Sequence, residues 1–315
     1  MMNTTESSMV APSKYKSYSA SKLVSKILAY VFLVILSVIW LYPIVWLIVS
    51  SFTVSMEGGT LSIANLNTYF PNYETTKFGF DNYIQLFNPG PDFSGRLFFT
   101  DWFITTFIIA VCSCLISTAF TLMVAYVMSK LKFSFRKTYL NVALIIGLFP
   151  GFMSMVAIYY LLTAMGLTES KELGVLALIL CNSAGAGTGF YVAKGFFDVI
   201  PNSLMESARL DGATNAQIFW HIILPMSKPI VIYQALMAFT GPWMDFIFAK
   251  VILGPDPANW TVSVGLYETL NASQLPTNVF TVGAAGCVIV AIPIVTLFMF
   301  LQKYYVEGVT AGSVK

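Results

Sequence analysis

Charge is what this sequence has least of. Only 10% of its 315 residues are Asp, Glu, Lys or Arg, while 57% are hydrophobic. Soluble domains carry about 25% charged residues, so this chain has too little charge to cover a water-facing surface of its size. Histidine is almost missing, His221 being the only one. The four cysteines, Cys112, Cys114, Cys181 and Cys287, form no CxxC pair and no cluster with histidine. That argues against a metal centre and a disulfide scaffold. All four lie in apolar runs, where a free cysteine packs as a small hydrophobe. There is no GxxxxGK[ST] loop, no Ser-His-Asp elbow, no zinc motif and no GxGxxG fingerprint. The chain is therefore not expected to hydrolyse a nucleotide or to act as an enzyme. A net charge of +2 gives no pull toward nucleic acid.

What is present is apolar sequence in runs of twenty or more. A helix needs about 20 apolar residues to cross about 30 Å of hydrocarbon. Six segments qualify, at 27–50, 100–128, 139–165, 173–197, 229–253 and 279–303. The expected fold is an all-α integral membrane protein of six transmembrane helices. Residues 1–26 are polar, and the run that follows is longer than a signal h-region and lacks a small-x-small cleavage site after it. It reads as a first helix that stays in the membrane. Spans three to six carry internal Gly or Pro, as at Pro150-Gly151, Gly185-Ala-Gly187-Thr-Gly189, Gly241-Pro242 and Pro293. Broken helices survive in lipid where neighbours or a polar cavity satisfy the freed backbone. Small residues also allow close helix packing.

The loops sort by charge. Lys14, Lys16, Lys22 and Lys26 lie before the first span. Lys130, Lys132, Arg136 and Lys137 follow the second, Lys194, Arg209 and Lys228 follow the fourth, and Lys303 and Lys315 follow the sixth. The opposite loops hold only Lys77, Arg96, Lys171 and Lys250. The positive-inside rule places both termini in the cytoplasm. The organisation is then a tail at 1–26, a first helix at 27–50 and an external loop at 51–99. A core at 100–303 contains a cytoplasmic loop at 198–228, and a tail at 304–315 closes the chain. An external loop as long as 51–99 is usually functional or a small extramembrane cap.

The 198–228 loop reads as two short helices with a break. Ser203 and Glu206 have capping-box spacing after Pro201. Leu204, Ala208 and Leu210 supply apolar contacts, and Gly212 suits a left-handed C-cap after Asp211. Thr214 to Ile223 reads as a second, amphipathic helix with Ile218, Phe219, Ile222 and Ile223 on one side. Pro225 and Pro229 should stop it before the fifth span. Such a segment could be a docking knob for a partner protein or an interfacial helix lying on lipid.

Here the sequence resembles a known family. Glu206-Ser207-Ala208, then Gly212, then nine residues, then Ile222-Ile223-Leu224-Pro225 is similar to the EAA loop of ABC importer permeases. Ser207 is the one departure, a small residue for a small residue. The end of the chain, with Gly308-Val-Thr310-Ala-Gly312-Ser-Val-Lys315, resembles the tail of the smaller permease subunit in the maltose-type sugar importers. The resemblance runs over about residues 80–315, leaving 1–26 and much of 51–80 idiosyncratic.

The resemblance implies a prokaryotic cytoplasmic-membrane permease subunit for a sugar, of maltodextrin type, working by alternating access. Its implied partners are a second homologous permease, two cytoplasmic ATPase subunits that bind the ATP and magnesium, an extracytoplasmic sugar-binding protein and membrane lipid. This chain binds no cofactor itself. Glu206, Ser207, Ala208, Asp211, Gly212, Ala213, Ile222, Leu224 and Pro225 would form the coupling helix in an ATPase cleft. Gly308, Thr310, Gly312 and Lys315 would lie at the ATPase interface. Aligning Val262-Ser-Val-Gly265-Leu with the family pattern places the loop tip that enters the binding protein at Asn271, Ala272, Ser273 and Gln274. Those residues equally suit an ordinary surface turn.

Sugars are held by planar polar groups and aromatic faces. Candidates along a central path are Asn182, Ser183, Tyr191, Gln234, Trp243 and Asp245, each of which also suits interhelical bonding or an interfacial belt. In maltose-type systems the membrane sugar site lies mostly in the other permease. The coupling loop alone also fits a permease for another small solute. An ion-coupled secondary transporter working alone would need a deep carboxylate, and Asp245 lies near one interface.

Overall fold

The computed structural model describes residues 20–55, 76–90, 97–184, 186–271 and 279–311. The chain divides into two units, residues 1–47 and 48–315. In the first, the described residues form most of α1 (Ala20–Ser51), which runs through Pro43 without a break. Its last turn belongs to the second unit.

The second unit opens with two three-residue strands, β1 (Thr53–Ser55) and β2 (Thr76–Phe78), paired antiparallel with Thr53 opposite Phe78. A short helix α2 (Asp81–Phe87) follows. The fold is otherwise helical, and these elements give part of the 51–99 segment a small ordered structure. Asn82 on α2 explains why the segment folds back. It is 2% exposed and donates to Ser51 O at 2.9 Å and Thr53 O at 3.0 Å. Its Oδ1 accepts from Thr281 Oγ1 at 3.0 Å. One buried amide thus ties the end of α1, β1 and the last helix together, with its donors and acceptor satisfied.

The helix α3 (Phe99–Lys130) has 32 residues without Gly or Pro. Asp101 lies in its first turn and Lys130 in its last, the arrangement that complements the helix dipole. The third expected span is two helices, α4 (Arg136–Gly147) and α5 (Gly151–Ala164), bent by 98°. Pro150 has no N–H to continue α4, and the residue before a proline is driven away from helical geometry. The fourth span comprises α6 (Lys171–Ala184) and α7 (Ala186–Asp198).

The 198–228 segment holds α8 (Asn202–Leu210), α9 (Asn215–Ile218), a π-helical turn over Phe219–Ile223 and α10 (Leu224–Met226). The chain then bends by 87° into α11 (Lys228–Met244). The fifth span is shorter than 229–253. It passes through Gly241-Pro242 and ends at Asp245, whose extended ψ of 111° breaks it. A separate helix α12 (Ile247–Leu253), a 3-10 turn at Pro257–Asn259 and α13 (Val262–Asn271) follow. The last helix, α14 (Val279–Ala311), runs unbroken past Pro293. Among the described residues four helices are long and apolar enough to cross a membrane, or up to six if each bent pair counts as one span.

Two apolar cores lie at the two ends of α3. One gathers Phe99, Trp102 and Ile109 with Leu178, Trp243, Ile252, Trp260, Val264 and Val282. The other gathers Leu122, Ala125 and Tyr126 with Phe190, Phe197, Met205, Ile218, Phe219 and Ile223. Between them α3 buries the hydroxyl residues Ser113, Ser117 and Thr121.

Candidate functional site

The 198–228 segment is a rigid two-helix knob, and its rigidity comes from three local devices. The first is the end of α8. Gly212 has φ of +85°, and Ala213 N donates to Ala208 O at 2.9 Å while Gly212 N donates to Arg209 O at 3.0 Å. This pair of bonds is a Schellman cap, which glycine forms at little steric cost. The second device is a capping box at Thr214. Gln217 N donates to Thr214 Oγ1 at 3.3 Å, and Thr214 N donates to Gln217 Oε1 at 2.8 Å. The third is Arg209, which donates to Asn215 Oδ1 at 3.1 Å across the turn.

Three expectations are corrected here. The capping box is not at Ser203 and Glu206, because Pro201 occupies the N-cap and Ser203 already lies within the helix. Leu204 and Leu210 do not make the apolar contacts. Leu210 is 90% exposed, and Met205 at 2% takes the inward position. Pro225 does not stop the second helix. It sits inside α10, and the break falls at Ser227, where the chain turns into α11. The preceding π turn lets the chain run into Pro225, which brings no N–H of its own.

Ile218, Phe219 and Ile223 are buried against Tyr126 and Phe197, so the apolar face of the knob is used within the chain. Phe219 packs on Tyr126 with ring centroids 5.1 Å apart. The outer face carries Glu206, Ser207, Asp211 and Gly212, all exposed, with Leu210 projecting beside them and Pro225 exposed at the far end. Ala208, Ala213, Ile222 and Leu224 are half-buried and belong to the supporting layer. An exposed leucine beside two carboxylates on a stiff helix end suits insertion into a basic-rimmed cleft of another protein.

The knob is also pinned from below. Lys130 is 8% exposed, and its ammonium donates to Ile200 O at 2.6 Å and Asn202 Oδ1 at 3.2 Å. Ser129 donates to Asp198 Oδ1 at 2.6 Å, and Lys194 pairs with Asp198 Oδ2 at 2.6 Å. Tyr126 donates to Asn215 O at 3.1 Å. In the sequence Lys130 reads only as a loop charge. The signal that could have found it is the alternation of Tyr126, Ser129 and Lys130 on the last turn of a helix that otherwise carries almost no charge.

The proposed path residues separate into two kinds. Asn182 donates to Leu178 O at 2.9 Å within its own helix and borders a cavity of about 280 Å³ with Gly151, Met155, Ile158, Cys181 and Phe248. Ser183 and Gln234 are buried, and the Gln234 amide lies where a side chain on Gly189 would reach. The other three make structural contacts. Tyr191 donates to Leu140 O, tying α7 to α4. Trp243 packs in a cage with Phe103, Phe107 and Phe239. Asp245 ends α11, and its backbone carbonyl accepts from Ser263 Oγ at 2.6 Å.

Of the expected outer-loop tip, Asn271 is exposed and donates to Tyr267 O at 2.8 Å, while Ala272, Ser273 and Gln274 lie outside the described residues. The helix leading to it is braced. Lys250 pairs with Glu268, and the Phe246 and Tyr267 rings lie 4.5 Å apart. In the tail, Gly308 and Thr310 fall within α14, and Gly312 and Lys315 lie outside the described residues.

Comparison with known proteins matches residues 118–310 to the family described as "Binding-protein-dependent transport system inner membrane component". A galactooligosaccharides transport system permease protein from Bacillus subtilis (strain 168) is 32% identical over 98% of this chain and all of its own length. A maltodextrin transport system permease protein from Streptococcus pneumoniae is 32% identical, covering 91% of this chain and 95% of its own. Similarity therefore extends into the first helix, beyond the 80–315 range read from motifs. A crystal structure of a bacterial ABC transporter involved in import of the acidic polysaccharide alginate superposes with a TM-score of 0.61 at 18% identity. That likeness covers 91% of this chain and 98% of the other.

Proposed function

The chain belongs to the family of binding-protein-dependent transport system inner membrane components, and from that premise we propose that it is one membrane-spanning half of an ATP-driven oligosaccharide importer. The observation that carries the reading is the knob. Its apolar face is used internally, its outer face offers Glu206, Leu210 and Asp211 to a partner, and a glycine turn sets its angle. The partner is a cytoplasmic ATPase subunit, since no nucleotide-binding loop occurs in this sequence.

In this reading six spans cross the membrane, with both termini and the knob on the cytoplasmic side of a prokaryotic inner membrane. The basic loops support that orientation. The spans are α1, α3, the bent pair α4–α5, the α6–α7 run, α11 and α14. A second permease completes the path, and an external binding protein delivers the sugar to the side of α13. Closure of the ATPases displaces the knob, and the helices rock between inward-open and outward-open states. The relatives named for galactooligosaccharide and maltodextrin transport support a neutral sugar oligomer as cargo.

The test is purification of the tagged chain in mild detergent with mass spectrometry of what accompanies it, for wild type, Glu206→Lys and Gly212→Pro. The expected result is a second permease and a Walker-A-containing ATPase with wild type, and loss of the ATPase with both variants while the permease pair persists. A chain that emerges alone, or variants that retain the ATPase, would overturn the proposal.

A further inference from the structure

We propose that Lys130 is a positioning residue for energy coupling: it locks the knob onto α3, so that α3 carries the knob's displacement to the 257–271 segment at its other end. The inference rests on the importer reading above and adds a transmission route to it.

The argument starts from the two ends of α3. At one end, within five residues, Tyr126, Ser129 and Lys130 bond to four positions of the knob and its approach: Asn215, Asp198, Ile200 and Asn202. Lys130 makes two of these contacts and is the only one of the three with a full charge. A buried ammonium left without its acceptors is strongly unfavourable, so the knob cannot slide along α3 without a replacement partner for it. Its acceptors are a backbone carbonyl at the entry to α8 and the first side chain of α8. Lys130 therefore fixes where the helix starts. The Asp198 carboxylate is taken up by Ser129 and Lys194.

At the other end, α3 is fastened as tightly. The Trp102 indole, 0% exposed, donates to Pro257 O at 2.6 Å. Thr106 Oγ1 accepts from Val262 N at 2.9 Å. Gly265 of α13 lies directly against the Trp102 ring. A 32-residue helix without Gly or Pro connects these two sets of fastenings. Helix bending concentrates at such residues or at inserted waters, so α3 is built as a stiff rod. By contrast, the connection from the knob into α11 turns through 87° at Ser227, a place where motion can be absorbed. The rigid route from the knob to α13 runs through Lys130.

The test uses the transporter purified with its nucleotide-binding subunits through a tag on this chain. The four native cysteines are replaced by alanine, and nitroxide labels are placed at Phe120→Cys on α3 and at the exposed Ala216→Cys on the knob. Their separation is measured by pulsed electron resonance without nucleotide and after trapping with ATP and vanadate. If the knob and α3 move together, the two distance distributions coincide for Lys130 and for Lys130→Arg, which keeps donors in place. For Lys130→Met they separate, by a shift on the order of one helical turn, about 5 Å. Asn202→Leu removes one acceptor without burying a new charge and should broaden the trapped-state distribution. A knob–α3 distance that changes between states with Lys130 present would overturn the inference, as would coincident distributions with Lys130→Met. A residue that merely stabilised the fold would lower yield without making the distance depend on nucleotide. Failure of the ATPase to co-purify at all would instead count against the importer reading.

Discussion

Replacing Gly265 by alanine should destabilise this protein far more than one methyl group suggests. An ideal Cβ at Gly265 would stand 2.2 Å from Trp102 Cδ2 and Cε3 and 2.6 Å from Cε2. Carbon atoms rest about 3.5–4.0 Å apart, so something must move by more than 1 Å. The Trp102 ring cannot yield cheaply, being fully buried, bonded through Nε1 to Pro257 O, and beside Trp260 at a centroid distance of 6.3 Å. If α13 retreats instead, the Val262 N–Thr106 Oγ1 bond stretches, and Leu266 and Leu270 back away from the glycines Gly286 and Gly283 they lie against. Overpacking costs about 1–3 kcal/mol, and a disrupted buried hydrogen bond adds about 1 kcal/mol. The expected loss is about 2–4 kcal/mol.

The same swap elsewhere provides the control. At Gly286 the nearest atom is the Leu266 Cδ2 methyl at 2.7 Å, the end of a side chain that can rotate, so the loss should be about 1 kcal/mol. Gly195, inside α7, has open space around it, and alanine there should be neutral or stabilising by up to about 1 kcal/mol. Reversible unfolding of the purified chain in mixed micelles, followed by tryptophan fluorescence, reads all three. An unchanged midpoint for Gly265→Ala, or a larger loss at Gly195 than at Gly265, would refute the packing argument.

Two further substitutions probe other joints. Thr214→Ala removes the capping box and should cost about 1 kcal/mol locally, seen as faster hydrogen exchange over residues 215–226; exchange equal to wild type would show the cap to be idle. Asn82→Leu removes the amide donor that Ser51 O and Thr53 O share in a buried site and should lower global stability by about 2–3 kcal/mol, a loss that a wild-type unfolding midpoint would rule out.

Much of the membrane architecture was legible because lipid imposes one strong constraint, a long apolar run for every crossing. The runs at 100–128 and 279–303 match α3 and α14 closely. Proline was a poorer guide. It broke the chain at Pro150, yet Pro43, Pro242 and Pro293 lie inside continuous helices. A lone proline bends or interrupts according to what its neighbours can satisfy, which is tertiary information. The knob's outline was legible from Gly212, whose left-handed φ is a local property. Its facing was not. Both Leu210 and Met205 are apolar, and only the position of α3 and α7 decides that Met205 turns inward and Leu210 outward. Trp243 and Tyr191 looked like path residues for the same reason: a polar or aromatic residue in a span suits both a cavity and a helix joint.

The placement of the few charges gives the fold its mechanical character. Lys130, Lys194 and Asp198 lock one end of the bundle. Lys250, Glu268 and Lys171, which donates to Ala258 O at 2.8 Å, lock the other. The Lys130 hydrogen bonds are buried and therefore strong and sensitive to geometry, while the partly exposed Lys194–Asp198 and Lys250–Glu268 pairs add less. Between them α3 offers small hydroxyl residues, Ser113, Ser117 and Thr121, buried against its neighbours. Small residues let helices approach closely, and the Ser113 and Thr121 hydroxyls are buried without a hydrogen-bond partner among the described residues. A bundle fastened at its ends and weakly bonded through its middle can tilt its helices as stiff units. For a transporter that must open alternately to two sides, that is the division of rigidity the task requires, and it explains why so charge-poor a chain keeps its charges where it does.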